Sequence, residues 1–270
     1  MFRPASFFRL LPILAAACTP LALAQFSELD QIQIAPPMRQ IQPPSPDASV
    51  QDLEKTGDEL RSRKAYLDAI DYYAIAQKKA PEDAALYNKI GISQLMLQRY
   101  HDAGKTFGEA IKKDRKFSDA YNNLGVVNYE RRKYHAAIKL YKKAMDITPD
   151  TASFYSNLGA AYFANKKFED ASKCYAKALE LDPSIFEHSS RTGITAQMAS
   201  PEDRAHYDYV LAKLYAKIGD PDHSLQYLRK AIEDGYKSVK NVYTDPEFAT
   251  LRKDARFEEL MKEHTVVLPE

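Results

Sequence analysis

The fold is decided by a stretch that occurs twice in succession: SDAYNNLGVVNYERRKYHAAIKLYKKAMDITPDT at residues 118–151 and ASFYSNLGAAYFANKKFEDASKCYAKALELDPSI at residues 152–185. Both copies have glycine at position 8, aromatic residues at positions 17 and 24, alanine at positions 20 and 27, and proline at position 32. The same pattern recurs upstream at a spacing of 34 residues, with Arg115 in place of one proline. Residues 50–185 therefore hold four consecutive repeat units.

Each unit contains two segments of about 14 residues with helical periodicity. We expect the small residues at positions 8 and 20 to face each other, so that the two antiparallel helices pack closely. The aromatic residues at positions 17 and 24 are expected to fill the space between units. Proline at position 32 ends the second helix, because the residue before a proline avoids the α region. One such pair cannot bury its apolar face alone, so the units are expected to stack.

These recurring positions resemble the signature of the tetratricopeptide repeat (TPR) family over roughly residues 50–264. The resemblance implies an all-α fold, a right-handed α-α superhelix built from antiparallel helix pairs. Beyond residue 185 the register breaks, and residues 186–204 are predicted to form a degenerate insert, either helix or loop. A fifth TPR-like unit is predicted at 205–238. Residues 239–270 are predicted to add two short capping helices, which resemble the closing element seen after bacterial TPR arrays.

The composition excludes several classes of function. Lys and Arg total 38 against 37 Asp and Glu, so there is no basic excess for binding nucleic acid. The two cysteines, Cys18 and Cys174, cannot form a disulfide framework or a four-ligand zinc site. The sequence also lacks a glycine-rich phosphate loop and a nucleophile elbow. We therefore expect no enzymatic activity, no cofactor and no metal.

The first 24 residues have the features of an export signal. Arg3 and Arg9 accompany a short apolar stretch, and Ala22-Leu23-Ala24 provides a small-x-small cleavage pattern before Gln25. The alternative is a lipoprotein signal in which Cys18 carries the lipid, and membrane attachment is expected only through that lipid. Residues 25–49 are rich in Pro and Gln and are predicted to form an extended linker.

The resemblance also implies a binding groove lined by the first helices of successive units, at positions 2, 5, 9, 12, 13 and 16. The predicted groove residues are Asn88, Ile92, Leu95, Met96, Arg99, Asn122, Val126, Tyr129, Lys133, Phe163 and Lys167. The apolar members form a stripe that the helix pairs do not require for packing, which suggests a partner surface. Asn88 and Asn122 are suited to bonding a peptide backbone. The alternative is that the linker or the 186–204 insert of this chain covers the stripe.

Cations recur at the end of each first helix. Arg99, Lys133 and Lys167 share position 16, with further cations beside them at Arg131, Arg132 and Lys166. Two interpretations stay open: a clamp for an acidic ligand, or cations that complement the dipole of the last helical turn.

We therefore predict an exported scaffold, periplasmic or secreted, that binds a protein or peptide segment in the groove. One alternative is a lipid-anchored envelope assembly factor that serves outer-membrane or pilus biogenesis. Another is a glycan- or peptidoglycan-associated module, for which Tyr129 and Phe163 would provide aromatic surfaces.

Overall fold

Helices and turns make up the part of the chain that the computed structural model describes, residues 44–45, 47–187 and 200–264. These residues fall within one compact unit, Gln40–Glu270. The predicted export signal, most of the linker, most of the insert and the last six residues lie outside the described residues. No helix in the described part is long and apolar enough to cross a membrane.

Residues 50–181 form four helix pairs of nearly constant length, one for each predicted unit. In chain order they are α1 Val50–Ser62 with α2 Tyr66–Lys79, α3 Ala84–Met96 with α4 Tyr100–Lys113, α5 Ser118–Glu130 with α6 Tyr134–Ile147, and α7 Ala152–Ala164 with α8 Phe168–Leu181. Each helix packs against its partner, and each second helix packs against the first helix of the next unit. The chain is thus an α-solenoid of stacked helix pairs.

The glycine at position 8 makes room for an aromatic ring of the same unit. A Cβ atom on Gly57, Gly91, Gly125 or Gly159 would lie only 2.5–2.6 Å from a ring carbon of the residue at position 24. The expectation that the position-24 rings fill the space between units was therefore wrong. The ring at position 24 lies over the glycine, inside its own helix pair.

The fifth unit preserves this arrangement with different side chains. It consists of α9 Pro201–Ile218, which starts four residues before the predicted unit, and α10 Pro221–Glu233. Ala212 takes the glycine position and the smaller Leu228 takes the aromatic position, and both side chains are fully buried. Ser224 donates a hydrogen bond of 2.8 Å to the carbonyl oxygen of Ala212, which holds the two helices close together.

The C-terminal segment is more irregular than the two predicted capping helices. It contains three short 3₁₀-helices, Val239–Tyr243, Pro246–Ala249 and Leu251–Lys253, followed by α11 Ala255–His264. Seven apolar side chains of this segment are buried in the same cluster as α9 and α10: Val239, Val242, Phe248, Leu251, Phe257, Leu260 and Met261. The segment therefore closes the apolar end of the solenoid.

Candidate functional site

The face formed by the first helices α1, α3, α5 and α7 carries the predicted groove residues, but the structure divides them into two groups. Seven are buried: Asn88, Ile92, Leu95, Asn122, Val126, Tyr129 and Phe163. Four are exposed: Met96, Arg99, Lys133 and Lys167. The exposed group occupies positions 13 and 16, at the end of each first helix and in the turn after it.

The expectation that the apolar stripe is not needed for packing was wrong. Ile92, Leu95, Val126 and Tyr129 belong to one buried cluster that extends across units 2 to 4. Phe163 is 0% exposed and belongs to the next cluster, where its ring lies 4.9 Å from that of Phe168. First helices of neighbouring units contact each other directly, so side chains at positions 9 and 12 fill that contact.

Buried amides connect successive first helices. The Nδ2 atom of Asn123 donates to Oδ1 of Asn88 at 3.0 Å, and Nδ2 of Asn157 donates to Oδ1 of Asn122 at 2.9 Å. Asn122 also donates to Oδ1 of Asn123 at 3.3 Å, so the contacts continue from unit to unit. We call these four asparagines the amide ladder. The side chains of Asn88 and Asn122, predicted to bind a peptide backbone, instead bond to neighbouring repeats.

An ionic group continues the ladder between the first two units. Lys89 Nζ lies 2.6 Å from a carboxylate oxygen of both Glu54 and Asp58. Tyr73 donates a hydrogen bond of 2.7 Å to Asp58, and burial together with this bond raises the pKa of Tyr73. Sequence reasoning missed this group. Its signal was a spacing of 35 residues, shared by Glu54 with Lys89 and by the asparagine pairs.

Two buried tyrosine hydroxyls have no hydrogen-bond partner among the residues that the structure describes. The Oη atoms of Tyr141 and Tyr175 are buried, and burial raises the pKa of both phenols. In the first unit the corresponding Tyr73 bonds to Asp58 at position 9, whereas Val126 and Ala160 stand at that position in units 3 and 4. An apolar residue at position 9 therefore removes the acceptor for these two hydroxyls.

His101, His135 and Cys174 lie apart from one another, whereas His223 lies 2.6 Å from Asp220 and 3.1 Å from Glu187. His101 is exposed and its Nδ1 lies 3.4 Å from Asp102, while His135 contacts Asn165. Burial, followed by the charge of Asp170, raises the pKa of the Cys174 thiol to about 11. Among the described residues, no three or more His, Cys, Asp or Glu side chains form a group that could hold a metal ion.

The glycan alternative required aromatic rings that a sugar can reach. Tyr129 is 4% exposed and Phe163 is 0% exposed, so neither ring offers a face for stacking in this structure. Of the apolar groove residues, Met96 is accessible, with 46% of its surface exposed.

Comparisons with known proteins agree with this architecture. Family models described as tetratricopeptide repeat match residues 152–185 and 207–233, and one described as TPR repeat matches residues 129–166. A chloroplastic protein from Arabidopsis thaliana is 33% identical over 64 residues, which cover 24% of this chain and 19% of that protein. The match thus spans about a fifth of the length of that curated relative.

Two solved structures are also similar to this chain. The crystal structure of MamA is 22% identical, with 68% of this chain and 96% of that chain covered and a TM-score of 0.46. The structure titled MamA 41-end from Desulfovibrio magneticus RS-1 is 18% identical, with coverages of 70% and 96% and a TM-score of 0.49. Tetratricopeptide repeats are generally non-enzymatic and bind proteins or peptides. The helix pairs and the matching family models together identify residues 129–185 and 207–233 as tetratricopeptide repeats.

Proposed function

We propose that this protein is a non-enzymatic scaffold that holds a segment of a partner protein along the face of its first helices. The observation that carries the proposal is that this face combines two kinds of side chain. Its buried side chains hold the first helices in fixed positions and form a floor, and its exposed side chains form an accessible rim. The amide ladder and the ion pair of Lys89 with Glu54 hold neighbouring first helices in contact. At positions 13 and 16 the side chains of Met96, Arg99, Lys133 and Lys167 remain exposed.

A fixed floor favours binding because association then loses little conformational entropy on the scaffold side. Met96 adds a flexible apolar side chain to an otherwise charged rim, and such side chains adapt to a partner surface. Since the buried stripe is committed to packing, we assign recognition to the rim and not to Tyr129 or Phe163.

Site-specific crosslinking tests this assignment. We would place a photoreactive p-benzoyl-phenylalanine at position 96 and, as a matched control, at position 218, because Met96 and Ile218 are both exposed apolar residues, at 46% and 57%. A defined adduct with a partner protein from position 96 alone is expected. Met96→Glu should then weaken binding of that identified partner by about tenfold or more, while Ile218→Glu leaves it unchanged. Equal crosslinking from both positions, or no loss on Met96→Glu, would contradict the proposal.

We further propose that the protein acts outside the cytoplasm. The support is the sequence of residues 1–24, with two arginines, a short apolar stretch and the Ala22-Leu23-Ala24 pattern. Mass spectrometry of the mature protein, expressed in a bacterial host, is expected to give an N-terminus at Gln25. A lipid-modified Cys18 at the N-terminus would instead favour the envelope-anchored assembly factor, and an intact Met1 would reject cleavage after Ala24.

A further inference from the structure

The turns that join the two helices of units 1–4 form a cationic edge on the solenoid. First helices run parallel and contact each other, so these turns follow one another along one side. Eight cations occupy them, and all are exposed: Arg63, Lys64, Arg99, Arg131, Arg132, Lys133, Lys166 and Lys167. The turn segments 63–65, 97–99, 131–133 and 165–167 contain no acidic residue.

Seven of these eight cations form no ion pair with the residues that the structure describes. The eighth, Lys166, lies 2.5 Å from Asp203. Their side chains are therefore available to a ligand from outside this region.

The turns carry these side chains where the backbone favours other residues. The residue at position 15 has a positive φ in every unit: Lys64 63°, Gln98 58°, Arg132 58° and Lys166 60°. This left-handed conformation favours glycine, because a Cβ atom crowds the neighbouring carbonyl group. In all four units the chain uses a long side chain at this position, and in three of them the side chain is charged.

Position 16 also departs from the usual residue preferences, here those of the helix N-cap. Arg99, Lys133 and Lys167 are the N-cap residues of α4, α6 and α8, and none of them makes a side-chain cap hydrogen bond. Serine, threonine, aspartate and asparagine are preferred at the N-cap, and the positive end of the helix dipole disfavours a cation. These three residues also lie just beyond the C-terminal ends of α3, α5 and α7, where their backbone N–H groups bond to carbonyl oxygens of those helices. The interpretation that they complement the dipole of a first helix therefore stays open.

In the fifth unit of the same chain, positions 15 and 16 carry the residues that the backbone favours. Gly219 occupies the left-handed position with a φ of 82°, and Asp220 at the N-cap accepts a hydrogen bond of 3.1 Å from the backbone of His223. Units 1–4 thus forgo a Gly-Asp turn that this fold readily accommodates. Rules that are broken repeatedly at one place, without a structural gain, indicate a functional site.

We propose that this cationic edge binds an acidic, extended segment of a partner protein. The inference rests on the proposed scaffold function, which supplies the class of partner. Neighbouring turns are separated by about 10 Å, the usual distance between packed helices. A chain in the polyproline II conformation has three residues per turn and rises about 3.1 Å per residue, so acidic residues at every third position lie on one side and would meet one turn after another.

Other occupants fit the edge less well. The undescribed segments 1–43, 188–199 and 265–270 contain just Glu28, Asp30 and Glu270 as acids, so the chain has no acidic segment of its own to place there. The turns expose no large hydrophobic residue of the kind that enters a lipid surface. They also lack exposed aromatic rings on which the bases of a single strand would stack.

The test replaces the edge with the chemistry of the fifth unit. The edge variant carries Gln98→Gly, Arg99→Asp, Arg132→Gly, Lys133→Asp and Lys167→Asp, and leaves Lys166 bonded to Asp203. The probe is a fluorescent 15-residue peptide with Glu at every third position, compared with a peptide of equal composition whose Glu residues are contiguous. Vesicles containing phosphatidylglycerol and a DNA duplex form the competing arms. Gln98→Gly alone is the matched control, because it relaxes the backbone without removing charge.

We expect the spaced peptide to bind more tightly than the contiguous one, with an affinity that falls as salt rises. The edge variant should bind it about a hundredfold more weakly or worse, and yet melt several degrees higher than the parent protein. Gln98→Gly should melt higher and bind normally. Binding of vesicles or DNA but not of the peptide, unchanged peptide binding by the edge variant, or a lower melting temperature would each overturn the inference. If the partner crosslinked at position 96 still binds the edge variant, the scaffold function stands and the acidic edge fails.

Discussion

At the scale of the residue, the aromatic ring at position 24 explains why position 8 is glycine. A Cβ on Gly125 would lie 2.5 Å from a ring carbon of Tyr141, which is 0% exposed and has no room to move. We expect Gly125→Ala to lower the free energy of unfolding by about 2 kcal/mol, as overpacking of a core does. Urea denaturation followed by circular dichroism would measure the loss.

Gly108 provides the matched control for this substitution. It lies inside α4, and a Cβ there would have no heavy atom within 4 Å. Gly108→Ala should therefore raise stability by up to about 1 kcal/mol, because alanine is the better helix former. Similar losses in both variants would mean that the ring contact does not explain the glycine.

A second residue-scale prediction concerns the carboxyl group of Asp208 in α9. Asp208 is 6% exposed, and burial raises its pKa to about 6 although Lys230 acts in the opposite direction. The folded state therefore holds this proton more tightly than the unfolded state. Its contribution favours folding below about pH 4 and is lost as the pH rises through about 6.

Replacing Asp208 with Asn should remove the free-energy cost of ionising this buried carboxyl group above about pH 6. We expect Asp208→Asn to be more stable than the parent protein by about 2 kcal/mol at pH 8, and the gain should vanish below about pH 4. Thermal melts of both proteins across this range would provide the comparison. A gain that is constant with pH would show that the carboxyl proton is not its source.

At the scale of the element, the amide ladder holds first helices in register. Asn122 is fully buried and bonds to both Asn123 and Asn157. We expect Asn122→Ala to cost about 1–3 kcal/mol, since it removes a hydrogen-bond partner from buried amides. A double-mutant cycle with Asn157→Ala should give a coupling of at least about 0.5 kcal/mol.

Asn128 is the control for the ladder, because its amide bonds to the carbonyl oxygen of Leu124 within the same helix. Asn128→Ala should cost less than Asn122→Ala in the same denaturation experiment. A coupling near zero between positions 122 and 157 would show that the ladder does not connect the two units.

The sequence predicts the helices well because the signal for each pair lies within 34 residues. Glycine, alanine and aromatic spacing identify both helices and the turn between them. The burial of Ile92 or Val126 depends on the next first helix, which the pattern of one unit does not reveal. The predicted groove therefore confused contact between units with a free surface. The 35-residue spacing of Asn88 with Asn123 and of Asn122 with Asn157 was the available clue.

At the scale of the whole molecule, stability depends on closing the end of a stacked array. Each unit buries its apolar face against the next, so the last unit needs a cap. The segment from Val239 onward supplies that cap, with seven buried apolar side chains against α9 and α10. A hydrogen bond of 2.9 Å from Tyr209 to Asp245 and an ion pair from Arg256 to Asp222 fix its position.

We therefore expect a chain that ends at Ser238 to lose stability from its C-terminal end. Phe248 and Leu251 would no longer cover the fifth unit, and the exposed apolar surface should bind a hydrophobic dye and promote association. Hydrogen exchange should accelerate first in α9 and α10, while α3 to α6 keep their protection, because stability in a repeat array is largely a sum of neighbouring contacts. A chain that ends at His264 keeps every buried residue of the cap that the structure describes and should behave like the full protein. Uniform loss of protection along the solenoid would show that it unfolds as one cooperative unit instead.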